Sequence, residues 1–210
     1  MTSKKISSRL QLRKKPQQER SIQRLDAIME AAVDLIAEHG VANLKMTDIA
    51  ARAGVPVGSL YQFFPEKAAI IRAFHDRHTT VVQEHATAAF PDVKSTAQAI
   101  DMLSRLFDDF YKIYRADRTY LSVWMAGMTD RDFQVLNLAH LDRLTDIVVA
   151  ALHHLVDQKH LEVFRLRVHM VLYLSGALAR FAMVRDEASA QKYLAEWKAM
   201  GARTLFEFDG

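Results

Sequence analysis

Apolar residues recur at three- and four-residue spacing through nearly the whole chain, and one stretch breaks that rhythm: AGVPVGSLYQFFPEK, residues 53–67. The sustained spacing is the mark of amphipathic helices, and the alternation of a half-buried strand is nowhere sustained. An all-α chain is therefore expected. The break packs two glycines, two prolines and three aromatics into fifteen residues, so the chain must reverse there rather than continue a helix.

On the N-terminal side of the break, Ile22, Leu25, Met29, Ala32 and Ile36 form one apolar stripe. Pro16 stands where that helix would begin and Gly40 where it would stop. Residues 47–53 then read as a short helix ended by Gly54, and residues 57–63 as a second, entered through Pro56. Pro65-Glu66-Lys67 opens a long helix with Ala69, Ile70, Ala73 and Phe74 on one side. Beyond Pro91 the spacing predicts helices at about 95–115, 118–128, 131–157, 161–184 and 188–207.

Two short helices joined by a turn of three or four residues with glycine in it make a helix-turn-helix. Ala50 is small enough for a close crossing, Gly54 can take the positive φ of the turn, and Ile49, Val55 and Leu60 can seal the core between the helices. The second helix would then offer Val57, Gly58 and Ser59 at its N-terminal end, the end that recognition helices place in a major groove. Ser59 and Tyr61 carry hydroxyls suited to phosphate, and Lys67 lies in the first turn of the next helix, whose N–H groups favour an anion. The plainer alternative makes residues 54–58 a simple connection and Tyr61, Phe63 and Phe64 a core patch.

The joint spacing of TDIAARAGVPVGSLYQFFPEK resembles the DNA-binding signature of the tetracycline-repressor (TetR) family of transcriptional regulators, over residues 20–75. The resemblance implies an N-terminal three-helix helix-turn-helix DNA-binding domain joined to a larger helical ligand-binding and dimerisation domain. It implies a basic flexible arm at 1–16, a DNA-binding domain at 17–66 and an effector and dimerisation domain at 67–210. It places Ser59, Tyr61 and Lys67 on phosphates, and Thr47, Val57 and Gly58 facing the groove. Two positions depart from the family pattern. Val57 stands where Lys or Arg is frequent, which suggests a thymine methyl as its contact. Lys45 stands where a Ser/Thr cap is frequent, so either Thr47 caps the helix or Lys45 reaches a phosphate.

The first fifteen residues carry Lys4, Lys5, Arg9, Arg13, Lys14 and Lys15 and no acid. Such an arm either follows the DNA backbone or its minor groove, or serves only as a solubilising tail. In the C-terminal part, the resemblance implies a small-molecule pocket between helices, and Phe107, Tyr111, Trp124, Met125, Met128 and Tyr173 are its candidate walls. Aromatic and methionine walls suit a largely apolar or aromatic effector. The segment 161–184 is apolar on more than one face, which suits a homodimer interface, the alternative being a monomer with an unusually thick core; the interface candidates are Val171, Leu174, Leu178 and Phe181, with Trp197 from the last helix.

The chain has no cysteine, which removes disulfides, zinc-thiolate sites and cysteine nucleophiles. No apolar run is long enough to span a membrane, and no apolar stretch follows the basic N-terminus as a secretory signal requires; a cytoplasmic protein is expected. His75 with His78, and His153 with His154, lack a third ligand nearby in sequence, so no metal and no cofactor is expected. No phosphate-cradling loop or nucleophilic triad is visible. The expected function is thus not enzymatic: a regulator, repressing by preference, that binds a palindromic double-stranded DNA operator as a dimer and is released by its effector. The alternative is a helical dimeric adaptor, or a non-specific DNA-binding protein without an effector.

Overall fold

The computed structural model describes residues 19–117 and 119–208, with the side chains of 202 and 203 left aside. The described residues form helices and no strand: α1 (Glu19–His39), α2 (Met46–Arg52), α3 (Val57–Phe63), α4 (Lys67–Ala88), α5 (Thr96–Ala116), α6 (Tyr120–Gly127), α7 (Arg131–Leu152), α8 (Leu161–Met183) and α9 (Glu187–Leu205). Two short 3₁₀ turns, His153–Leu155 and Gln158–His160, link α7 to α8. The all-α expectation and the order of short and long helices hold. The basic arm at 1–16 lies outside the described residues.

The described residues form two compact units: 19–78 with 117 and 119–136, and 79–116 with 137–208. The first has a core of Ile28, Ala32 and Ile36 from α1, Ile49 and Ala50 from α2, Leu60 and Phe63 from α3, and Ile70 and Phe74 from α4. Val123 on α6, with Phe133 and Leu136 on α7, belongs to the same core. Burying aromatic and branched side chains there supplies most of the stabilisation, at about 1.5–3 kcal/mol for each large one. No periodicity in the sequence announces that residues 117–136 join this unit.

The second unit packs α5 and α7–α9 around several apolar clusters, one of which holds Phe107, Tyr111, Ala179, Ala182 and Leu194. Arg115, near the end of α5, closes the end of α8: its guanidinium donates to the Arg185 carbonyl at 3.2 Å and to the Tyr111 hydroxyl at 2.8 Å. Arg115 also pairs with Glu187 in the first turn of α9 at 2.9 Å. A cation there satisfies carbonyls that a helix end leaves over and matches the negative end of its dipole. Asp186 caps α9 by accepting from the Ser189 N–H at 2.9 Å.

One face of α8 remains open. Phe164, Val168, Ala179 and Ala182 are buried, while Val163, Leu166, Met170, Tyr173, Leu174 and Phe181 are exposed at three- and four-residue spacing. Tyr193 and Met200 of α9 are exposed as well. Among the described residues no helix is long and apolar enough to cross a membrane.

Candidate nucleic-acid interface

Helix α2 ends because Gly54 takes φ +65°, a conformation that costs a side-chain-bearing residue about 1–2 kcal/mol. Two backbone bonds lock the turn: Gly54 N–H to Ala51 O at 3.2 Å and Val55 N–H to Ala50 O at 3.0 Å. This pair is the Schellman closure, and Val55 packs against the core to which Ile49 and Ala50 belong. Pro56 then precedes α3, where its missing N–H costs nothing, and its carbonyl accepts from Ser59 N–H at 2.8 Å.

Helix α3 divides cleanly. Leu60 and Phe63 are buried, with Phe64 just after them. Val57, Gly58, Tyr61 and Gln62 are exposed, at i, i+1, i+4 and i+5, so they share one outward stripe. The connection-only alternative for this stretch fails on Tyr61, which is 41% exposed, although Phe63 and Phe64 are core as it required. Gln62 was not singled out by the sequence. Its place four residues after Gly58 is the signal that puts it on the stripe.

A Cβ built on Gly58 meets nothing within 4 Å, and its φ is not positive. The fold itself therefore has no need of glycine at this position. Ser59 sits half-buried at the edge of the stripe. On α2, Thr47 is exposed and its hydroxyl donates to Asp48 Oδ1 at 3.2 Å. Thr47 is not the cap: the capping position is Lys45, in extended backbone, and its side chain makes no capping bond. The helix thus starts without a side-chain cap.

Lys67 opens α4, as the spacing predicts. Its ammonium donates to the carbonyls of Val41 and Ala42 at 3.1 and 3.3 Å, in the turn that follows α1. Arg52 makes a two-pronged pair with Glu38 at 2.9 and 3.0 Å, fixing α2 to α1. Both cations thus hold the helix-turn-helix to its supporting helix. Deeper in the unit, His78 of α4 bonds to Asp117 Oδ2, while Asp117 Oδ1 accepts from the backbone and hydroxyl of Thr119 at 2.8 and 2.7 Å.

The candidate effector walls divide between the units. Trp124, Met125 and Met128 lie at α6, with Met125 and Met128 exposed. Phe107 and Tyr111 are buried on α5, and Tyr173 is on the open face of α8. Phe107 lines a cavity of about 50 Å³ with Leu103, Val171, Ser175, Trp197 and Lys198. Of the dimer candidates, Leu174 and Phe181 are on the open stripe. Val171, Leu178 and Trp197 are half-buried within the chain, and the Trp197 indole N–H donates to Ser175 Oγ at 2.8 Å. Among the described residues, no cluster of three or more metal-ligating side chains occurs.

A helix-turn-helix with an exposed recognition stripe, in a chain otherwise built of long helices, defines a DNA-binding regulator. Residues 28–74 match the family model of bacterial regulatory proteins of the tetR family, and residues 97–208 match the tetracycline repressor-like C-terminal domain. The chain belongs to the TetR family of transcriptional regulators. Among solved structures it is similar to a TetR-family transcriptional regulator from Streptomyces coelicolor, at 24% identity over 88% of this chain and 99% of that one, with a TM-score of 0.63. It is also similar to the fatty acid degradation regulator FadR from Bacillus halodurans, at 18% identity over 91% and 98% of the two chains, TM-score 0.65. A third is SmeT in complex with triclosan, at 16% identity over 90% and 99%, TM-score 0.65. A search of curated proteins finds no match.

Proposed function

We propose that the protein is a ligand-responsive repressor that binds a palindromic operator as a homodimer and leaves it when a small, largely apolar or aromatic effector binds. The observation that carries this is the stripe on α3. Val57, Gly58 and Tyr61 are turned outward, and Gly58 lacks a side chain where the fold leaves room for one. A bulky residue would hold the helix off a surface it must approach closely, and a groove floor is such a surface. Val57 offers methyls to a thymine. Ser59 and Tyr61 donate to phosphates, with Lys45, Thr47 and Lys67 beside them; residues 17–66 thus read DNA. These contacts set register, and the base-edge contacts set sequence preference.

The open apolar stripe on α8 supports dimerisation, since a patch of this length facing water is costly unless a partner covers it. A two-fold dimer gives two recognition helices matched to an inverted repeat. Two relatives support an apolar effector for residues 67–210: one solved with triclosan, one that regulates fatty acid degradation. Binding of the effector favours the conformer whose recognition helices no longer match successive grooves. The test is a titration of labelled DNA from upstream of the coding sequence, repeated with Tyr61→Phe. Specific binding that weakens on loss of the hydroxyl supports the proposal. Equal binding to unrelated DNA favours the non-specific coating protein instead.

A further inference from the structure

A groove of about 570 Å³ opens in the first unit between the turn after α1, the start of α4, and α6 with the beginning of α7. That volume lies in the range of small-molecule sites. Its floor is apolar, with Ile71 and Phe133 each under 5% exposed. Met125 on its wall is 58% exposed, and a methionine held open to water beside an apolar floor adapts readily to an incoming apolar shape. None of this belongs to the DNA-facing stripe of α3.

Three polar side chains line the groove: Lys67, Ser122 and Asp130. An ammonium has three N–H donors, and two of those on Lys67 go to the carbonyls of Val41 and Ala42. One donor is left over in a groove whose other walls are mostly carbon. The Asp130 carboxylate is committed to the start of α7, where Oδ1 accepts from the N–H groups of Asp132 and Phe133 at 2.9 and 3.4 Å. Its negative charge nevertheless stays at the groove and balances that of Lys67. An anionic ligand would gain Lys67 but meet Asp130, and a cationic one would face the reverse. A neutral molecule meets neither penalty.

We infer that this groove is a binding site for a neutral, mainly apolar molecule carrying one carbonyl-type acceptor, with the acceptor on the Lys67 ammonium and the apolar body against Ile71, Met125 and Phe133. The site lies on the DNA-binding unit and joins α6 to the turn that leads into α2. An occupant therefore fixes the spacing of these two elements. Its existence does not depend on the operator proposal, since binding is read without DNA.

The experiment uses the full chain with carbon-13 labelled methionine methyls, titrated with nonan-2-one and, separately, with nonanoate. The expected result is a saturable shift of the Met125 methyl by nonan-2-one, with a dissociation constant of about 1 mM or tighter. Nonanoate is expected to bind about tenfold more weakly, and the Met200 methyl to stay in place. Ala68→Phe fills the groove and is expected to abolish the shift; Ala126→Phe fills it from α6 and covers the case in which the first variant does not fold. The inference is overturned by an absent or unsaturable Met125 shift, by nonanoate binding as tightly as the ketone, or by a shift that survives in a folded filling variant.

Discussion

His78 of α4 donates from Nε2 to Oδ2 of Asp117, and the pair ties α4 to the turn that leads into α6. His78 is 9% exposed, and its ring packs edge-on against Tyr120 at 5.2 Å. Arg77 lies 3.6 Å from the same carboxylate oxygen. Replacing Asp117 leaves a buried imidazole and two Thr119 donors without their acceptor. Asp117→Ala is predicted to cost about 2 kcal/mol, measured as a lower urea midpoint at unchanged slope.

The same pair sets a pH dependence. Burial by itself raises the Asp117 carboxyl, but hydrogen bonds from His78 and Thr119 outweigh it and hold the group well below its ordinary 3.8. A group lowered on folding contributes stability that is complete above its unfolded value and is lost as pH falls through the folded one. The stability gap between the natural chain and Asp117→Asn is therefore predicted to be full near about pH 6 and to narrow below 3.8. Urea unfolding at a series of pH values measures it.

Gly54 and Gly58 separate fold from function. Gly54 has φ +65°, so Gly54→Ala is predicted to destabilise the chain by about 1 kcal/mol. Gly58 is helical with open space around it, so Gly58→Ala is predicted to gain about 0.5 kcal/mol of helix propensity. The same change is predicted to weaken operator binding by about tenfold or more. Thermal melts and gel shifts on both variants give the four values.

The open face of α8 carries Leu166 at 60% and Leu174 at 42% exposure. Replacing both by glutamate puts two charges into the proposed interface, where burial without partners is costly. Sedimentation velocity at micromolar concentration is predicted to show a dimer for the natural chain and a monomer for the double variant. The helical circular dichroism of the two is predicted to match, because neither leucine supports the chain's own core.

Much of this molecule is legible locally. Gly54, Pro56 and Lys67 mark their turn and helix starts through backbone rules that depend on near neighbours, and the structure follows them. Contacts distant in sequence leave no such trace. Nothing near Lys67 announces that its ammonium closes the turn at Val41 and Ala42, 26 and 25 residues earlier. The apolar pattern of α8 was readable, but a helix apolar on two faces does not say which face meets its own chain. Tyr173 illustrates this: the family resemblance implies a pocket wall there with Phe107 and Tyr111, and it stands exposed between Met170 and Leu174. Gln62 carries no distinctive chemistry, and only its helical spacing from Gly58 places it on the stripe.

Lys67 needs care in any binding experiment. Lys67→Ala removes two hydrogen bonds that hold the α1–α2 turn, so a loss of DNA binding in that variant mixes fold with contact. Its melting midpoint is predicted to fall, by about 1 kcal/mol of stability, whereas Tyr61→Phe is predicted to leave the midpoint unchanged and lower affinity alone. Thermal denaturation of the two variants beside their gel shifts separates the effects.

Selection of bound duplexes from a random-sequence pool by the full chain decides whether the α3 stripe reads DNA. The predicted result is enrichment of an inverted repeat whose half-sites lie about one helical turn, or a multiple of it, apart, with the enrichment lost in Gly58→Ala. Recovery of DNA without any enriched sequence, or the same repeat enriched equally by Gly58→Ala, would contradict it.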